Sequence, residues 1–180
     1  MKNGNFINYW SWFFKGSGGN PGYSRVLNKW ILFHLLVGIV LSLLVTLDLG
    51  TCADTVLLPL AGIFVGLSFA WAGNAQALLQ SKEIQELSEH HEGGFIEYVF
   101  VYQTAILSIL VTLVLWGIAG LQVFDKQWPT TSNITIYFCI KVFLFMLSSL
   151  TLRECWHVVM GAQWMLLIQN EIKKKQNNKE

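Results

Sequence analysis

The sequence predicts an all-α integral membrane protein with four transmembrane helices. Three observations carry that prediction. Only 13% of the 180 residues are charged, against about 25% in an ordinary soluble domain. Hydrophobic residues make up 53% of the chain, and the mean hydropathy is +0.47. The apolar residues are collected in long runs, and a hydrocarbon core about 30 Å thick takes about 20 helical residues to cross. Four runs have that length: 30–49, 56–79, 104–124 and 134–152. A span must satisfy its backbone internally, and none of these runs alternates as a barrel strand does, so all four read as helices. The same composition excludes a disordered chain, a collagen and a disulfide scaffold, and it argues against a water-soluble enzyme.

Ahead of the first span, residues 1–25 form an aromatic segment and a Gly-rich linker. Phe6, Tyr9, Trp10 and Phe13 share one helical face, which reads as a short helix at the headgroup level. No signal-peptide pattern precedes it. The main unit covers residues 26–172. After Leu79 the helix of the second span is expected to continue through Glu83, Glu86 and Glu89, to a turn at Gly93 and Gly94. Phe95 to Gln103 then runs back ahead of the third span. The fourth helix continues past Arg153 with Trp156, Val159, Met160, Gln163, Trp164 and Leu167 at helical spacing. Helices 2–4 are thus expected to extend about 15–25 Å beyond the membrane as a cytoplasmic bundle, with residues 156–168 lying flat on the membrane as the alternative. Residues 173–180 are expected to be a mobile basic tail.

Topology follows from the cations. Ten of the twelve Lys and Arg residues lie before residue 30, at Lys82, or from Arg153 onward. The short loop from Asp48 to Asp54 has none. That bias puts both termini on the cytoplasmic side. The expected location is the inner membrane of a bacterium.

Candidate polar-path residues are few. Thr104, Ser108 and Thr112 make a hydroxyl stripe on the third span, and Asn74 and Gln76 sit toward the end of the second. Hydroxyls in a span either bond back to their own helix or line a water-filled path. Lys141 lies within the fourth span, where a cation either snorkels or finds an interior partner; Asp48, Asp54 and Asp125 are the available carboxylates. Gly62, Gly66, Ala70 and Gly73 follow the small-residue pattern that lets helices approach closely, within one chain or between copies. Cys52, Cys139 and Cys155 share no CxxC spacing and read as small apolar side chains. Neither a cofactor nor a metal site is expected, because no ligand set, phosphate loop or nucleophile–base pair is visible. The net charge of +1 gives no field for nucleic acid.

Arg153, Glu154 and His157 are the densest polar cluster on the fourth helix. Arg153 and His157 stand one turn apart. With the four-helix layout, this pair resembles a degenerate HEPN-type arrangement, like that of the small membrane proteins that accompany type VI-B CRISPR effectors. The resemblance implies a membrane pore that enhances anti-phage defence. Three residues intervene between Arg and His here, where that motif has four to six, which argues against ribonuclease activity.

The function expected is therefore an oligomeric, non-enzymatic pore or channel that changes membrane permeability. Its partners would be the lipid bilayer, copies of itself and a cytoplasmic protein. The alternative is a non-conducting scaffold or regulatory subunit that recruits a cytoplasmic protein.

Overall fold

A computed structural model describes residues 8–16, 21–82, 94–126 and 133–177. Among the described residues every element is helical and none is a strand. In chain order they are α1 (Tyr9–Lys15), α2 (Tyr23–Val26), α3 (Ile31–Leu44) and α4 (Leu49–Cys52). A π-helical turn (Ala53–Leu57) joins α4 to α5 (Leu58–Leu79), and α6 (Gly94–Gly120), α7 (Val123–Lys126) and α8 (Ile134–Asn177) follow.

The rest of the fold is built on α8. Its 44 residues contain no proline, and at 1.5 Å per residue they run about 66 Å. Asn133 opens it, its side-chain oxygen accepting from the backbone N–H groups of Thr135 at 3.0 Å and Ile136 at 3.3 Å. α3, α5 and α6 each pack along α8, whereas α3 and α5 have no comparable contact with each other. The main core lies where α4, α6 and α8 meet, around Leu49, Cys52, Trp116, Ala119, Leu144 and Phe145. A smaller core joins Ala105 of α6 to Val158 of α8.

One glycine sets the distance between α3 and α8. A Cβ on Gly38 would stand 2.6 Å from the carbonyl oxygen of Val142 and 3.0 Å from Met146 Cβ. The first of these neighbours is backbone, so α3 could not keep its place beside a larger residue.

Between α3 and α4 the helix breaks, and the chain turns through 112° from Ile31–Leu44 to Leu49–Ile63. The π-helical turn comes just before Pro59. Proline lacks an N–H and its ring crowds the carbonyl four residues earlier, here that of Thr55, so the helix widens upstream of it. The expected second span thus emerges from a wound turn at 49–57 rather than from an open loop.

Two described helices are long and apolar enough to cross a membrane, over Val99–Gly120 and Ile134–Lys174. The bent pair of α3 with the segment to Ile63 makes a third if it counts as one span. The architecture is compatible with insertion into a membrane.

α1 packs against α6. Tyr9 and Trp12 are buried, with Phe100 of α6 5.7 Å from the Tyr9 ring and 5.4 Å from the Trp12 ring. Trp10 points outward instead, because the face that docks is the one carrying Trp12. α5 ends at Leu79 in a turn at Gln80; the expected continuation through Glu83, Glu86 and Glu89 to Gly93 lies outside the described residues.

Gly38→Val is expected to destabilise the protein by about 1–3 kcal/mol, the usual range for overpacking. Gly117, whose added Cβ would meet nothing within 4 Å, serves as the control: Gly117→Ala should be neutral or mildly stabilising. Thermal unfolding in detergent checks both.

Candidate functional site

The densest polar network lies at the break between α3 and α4. A break leaves carbonyls orphaned at one helix end and N–H groups at the other. Here groups on both sides of the break find partners. The Lys141 ammonium donates to the carbonyls of Val45, at 2.6 Å, and Leu47, at 3.0 Å, just past the end of α3. A cation there also meets the negative end of the helix dipole. Across the gap, the backbone N–H of Leu49 donates to the Tyr137 hydroxyl at 3.0 Å, that of Gly50 to Asp125 Oδ2 at 2.8 Å, and that of Thr51 to Asp48 Oδ2 at 3.0 Å. The Tyr137 hydroxyl in turn donates to Asp125 Oδ1 at 2.7 Å. Gly50 fits because a Cβ would stand 2.7 Å from Gln122 Cγ and 3.1 Å from Asp125 Oδ2.

Lys141 therefore neither snorkels nor pairs with a carboxylate. It is 7% exposed and its charge is spent on backbone carbonyls. Asp48 is the N-cap of α4, and the Thr51 N–H it accepts holds its carboxyl below the ordinary carboxylate range.

The hydroxyl stripe of α6 is used within the chain. Thr104, Ser108 and Thr112 each donate to the carbonyl four residues earlier, at 2.8, 3.0 and 2.8 Å. Thr104 also meets the Tyr9 hydroxyl at 3.2 Å, and Thr112 meets Thr151 at 2.6 Å. Beside them, Trp116 Nε1 donates to the Ser148 hydroxyl at 2.7 Å. The stripe joins α6 to α1 and α8.

The small residues of the second span stand differently. Gly62, Gly66, Ala70, Gly73 and Asn74 are all exposed, and an added Cβ on Gly62, Gly66 or Gly73 would meet nothing within 4 Å. This face packs against no other part of the described chain. The side chain of Gln76 lies outside the described residues.

At the other end of α3, Arg153 forms an ion pair with its neighbour Glu154 at 2.5 Å and reaches Asn28 at 3.4 Å. His157 is exposed. The two residues behind the HEPN-type resemblance are thus turned to different surroundings. His34, 4% exposed, meets Ser149 at 2.9 Å through Nδ1, and its Nε2 has no hydrogen-bond partner among the described residues. Among the described residues no group of His, Cys, Asp and Glu could hold a metal ion.

Between these two polar ends lies a half-open, almost wholly apolar cavity of about 500 Å³. Val37 and Leu41 of α3, Ala61 and Val65 of α5, Ile109 of α6 and Phe145 of α8 line it.

Comparison with family models, curated proteins and solved structures finds no match.

The sequence pointed to Lys141 but not to its carbonyl partners, and it gave no reason to connect Asp125, Tyr137 and the N–H groups of α4. Asp48 with Thr51 three residues on was the one local signal, an N-cap pattern. Lys141→Met should destabilise the protein by about 2–3 kcal/mol, because it strands two carbonyls that now accept from a charged donor. Asp48→Ala should cost about 1 kcal/mol, and Asp48→Asn much less. Because the folded carboxyl is lowered, the contribution of Asp48 should hold down to the ordinary carboxylate value, about pH 3.9, and fade only as pH falls through the lower folded value. Thermal unfolding of the three variants and the parent, from pH 7 to about pH 2, checks all of this.

Proposed function

We propose that this chain is a non-enzymatic, four-span membrane protein that assembles with copies of itself through α5 and forms a permeability path in the assembled state. In this reading the runs 30–49 and 56–79, which contain α3 and α5, are the first two spans, the capped break faces the outside, and both termini lie inside. The Lys and Arg bias of the loops supports that orientation.

The outward face of α5 carries the proposal. Gly62, Gly66, Ala70 and Gly73 are open on it, with Asn74 alongside. Bare small residues give lipid chains little to pack against, and an amide exposed at membrane depth is costly without a partner. A second copy supplies both a close-packing helix and a partner for Asn74. Because the hydroxyls of Thr104, Ser108 and Thr112 are already bonded within the chain, the path is assigned to α5 and not to α6.

A second reading, a non-conducting scaffold, is favoured by one observation. Leu152, Trp156, Met160, Trp164 and Leu167 expose an apolar strip along the second half of α8, a surface suited to a protein partner.

Dye release from liposomes, with the oligomeric mass measured in detergent, separates the two. The parent should be oligomeric and should release dye. Gly66→Leu should fall to the protomer mass, with release at the protein-free level. Asn74→Leu should keep the assembly and change the rate. An assembled parent that leaks nothing would favour the scaffold, and a protomeric Gly66→Leu that leaks like the parent would remove α5 from the argument.

A further inference from the structure

We infer that the cavity between α3 and α5 is a binding site for one hydrocarbon chain of a bilayer lipid. The inference rests on the membrane reading but not on assembly or conduction.

The capped break creates the site. A full reversal would lay the chain back along α3, but from α3 to the segment Leu49–Ile63, which leads into α5, it turns through only 112°. The two helices therefore diverge, both held by α8, and leave a wedge between them. The caps fix that angle, so the wedge is a built feature of the fold.

Its chemistry selects the occupant. Leu47, Val56, Leu60 and Leu152 line the cavity and are also exposed, so they form the mouth. Ile109, Trp116, Phe145 and Cys155 line it and are buried, so they form the floor. The polar side chains on its wall already have partners. Thr112 meets Thr151, Ser148 accepts from Trp116, and Ser149 meets His34. A bound water needs two to four polar partners, and this wall spends its own on itself. A polar ligand would have to break those bonds.

Size separates the apolar candidates. The volume of about 500 Å³ lies within the ordinary range of small-molecule sites. A helix is about 10–12 Å across, so a single turn of it already takes about that volume. A single hydrocarbon chain is far thinner. It enters between α3 and α5 from the surrounding lipid and restores the dispersion contacts that an empty wedge would forfeit.

The test uses the full chain in phosphatidylcholine vesicles containing a phospholipid with a photoreactive diazirine on its acyl chain. Adducts are mapped by mass spectrometry after irradiation. Lipid around the protein should label outward residues such as Leu110, Val114 and Phe143, which are exposed. A chain in the cavity should also label Ile109 and Phe145, which are 3% and 5% exposed and beyond the reach of surrounding lipid. Ala61→Trp and Leu113→Trp, which fill the cavity from α5 and from α6, should each cut the inward adducts at least several-fold and leave the outward ones unchanged. Adducts confined to the outward residues would overturn the inference, as would inward adducts that neither variant reduces. No adducts on either set would overturn the membrane reading, and this inference with it.

Discussion

The structure depends on how one interruption of backbone hydrogen bonding is repaired. Between Leu44 and Leu49 the chain gives up its helical ladder, and in apolar surroundings each unpaired N–H or C=O is expensive. The repair comes from residues far along the sequence: Lys141 and Tyr137 on α8, and Asp125 on α7. The network therefore bonds main-chain groups on both sides of the break and at the same time docks α3 and α4 against α7 and α8. Lys141 covers the carbonyl side, and Asp48, Asp125 and Tyr137 cover the N–H side. A buried ammonium among carbonyls, at the end of a helix dipole, is a lower-cost arrangement than the same charge facing lipid.

The other features follow from that fixed angle. Because α3 turns away along its own line of contact with α8, set by Gly38, it diverges from α5 and opens the apolar wedge. α5 packs on α8, and no described residue covers its glycines Gly62, Gly66 and Gly73. The hydroxyls of α6 are spent on keeping α1, α6 and α8 together. In the function proposed above, polar atoms inside the protomer hold the scaffold, and the groups that meet other molecules lie on its surface.

How much of this was legible in the sequence differs from element to element, for physical reasons. Run length and low charge are local and additive properties, so the helical class and the long apolar helices could be read directly. The continuation of the fourth helix past Arg153 was also legible, because nothing there breaks it, but residues 173–177, read as tail, belong to the helix. Lys141 had two readings in sequence, snorkelling or an interior carboxylate partner; its actual partners are main-chain carbonyls, and these have no residue signature. Tyr137 and Asp125 are 12 residues apart and meet N–H groups more than 70 positions away, so no spacing rule links them. For α1, the aromatic periodicity gave a helix but not which face docks, because Trp10 and Trp12 are equally apolar. The small residues of α5 had two readings in sequence, and only the tertiary arrangement showed that nothing in the described chain covers them.

The central claim is that the capped break turns the chain back at the membrane surface and does not lie within a single broken span. Thiol accessibility in intact cells tests it most directly. Cys139 is exposed and is first replaced by Ser, while Cys52 and Cys155 are buried. Thr46→Cys at the break, and Gln80→Cys at the end of α5, are then probed with a membrane-impermeant maleimide. The account predicts that Thr46→Cys labels in intact cells and that Gln80→Cys labels only after permeabilisation. A Thr46→Cys thiol that stays unlabelled in both conditions would put the break inside the bilayer and contradict it.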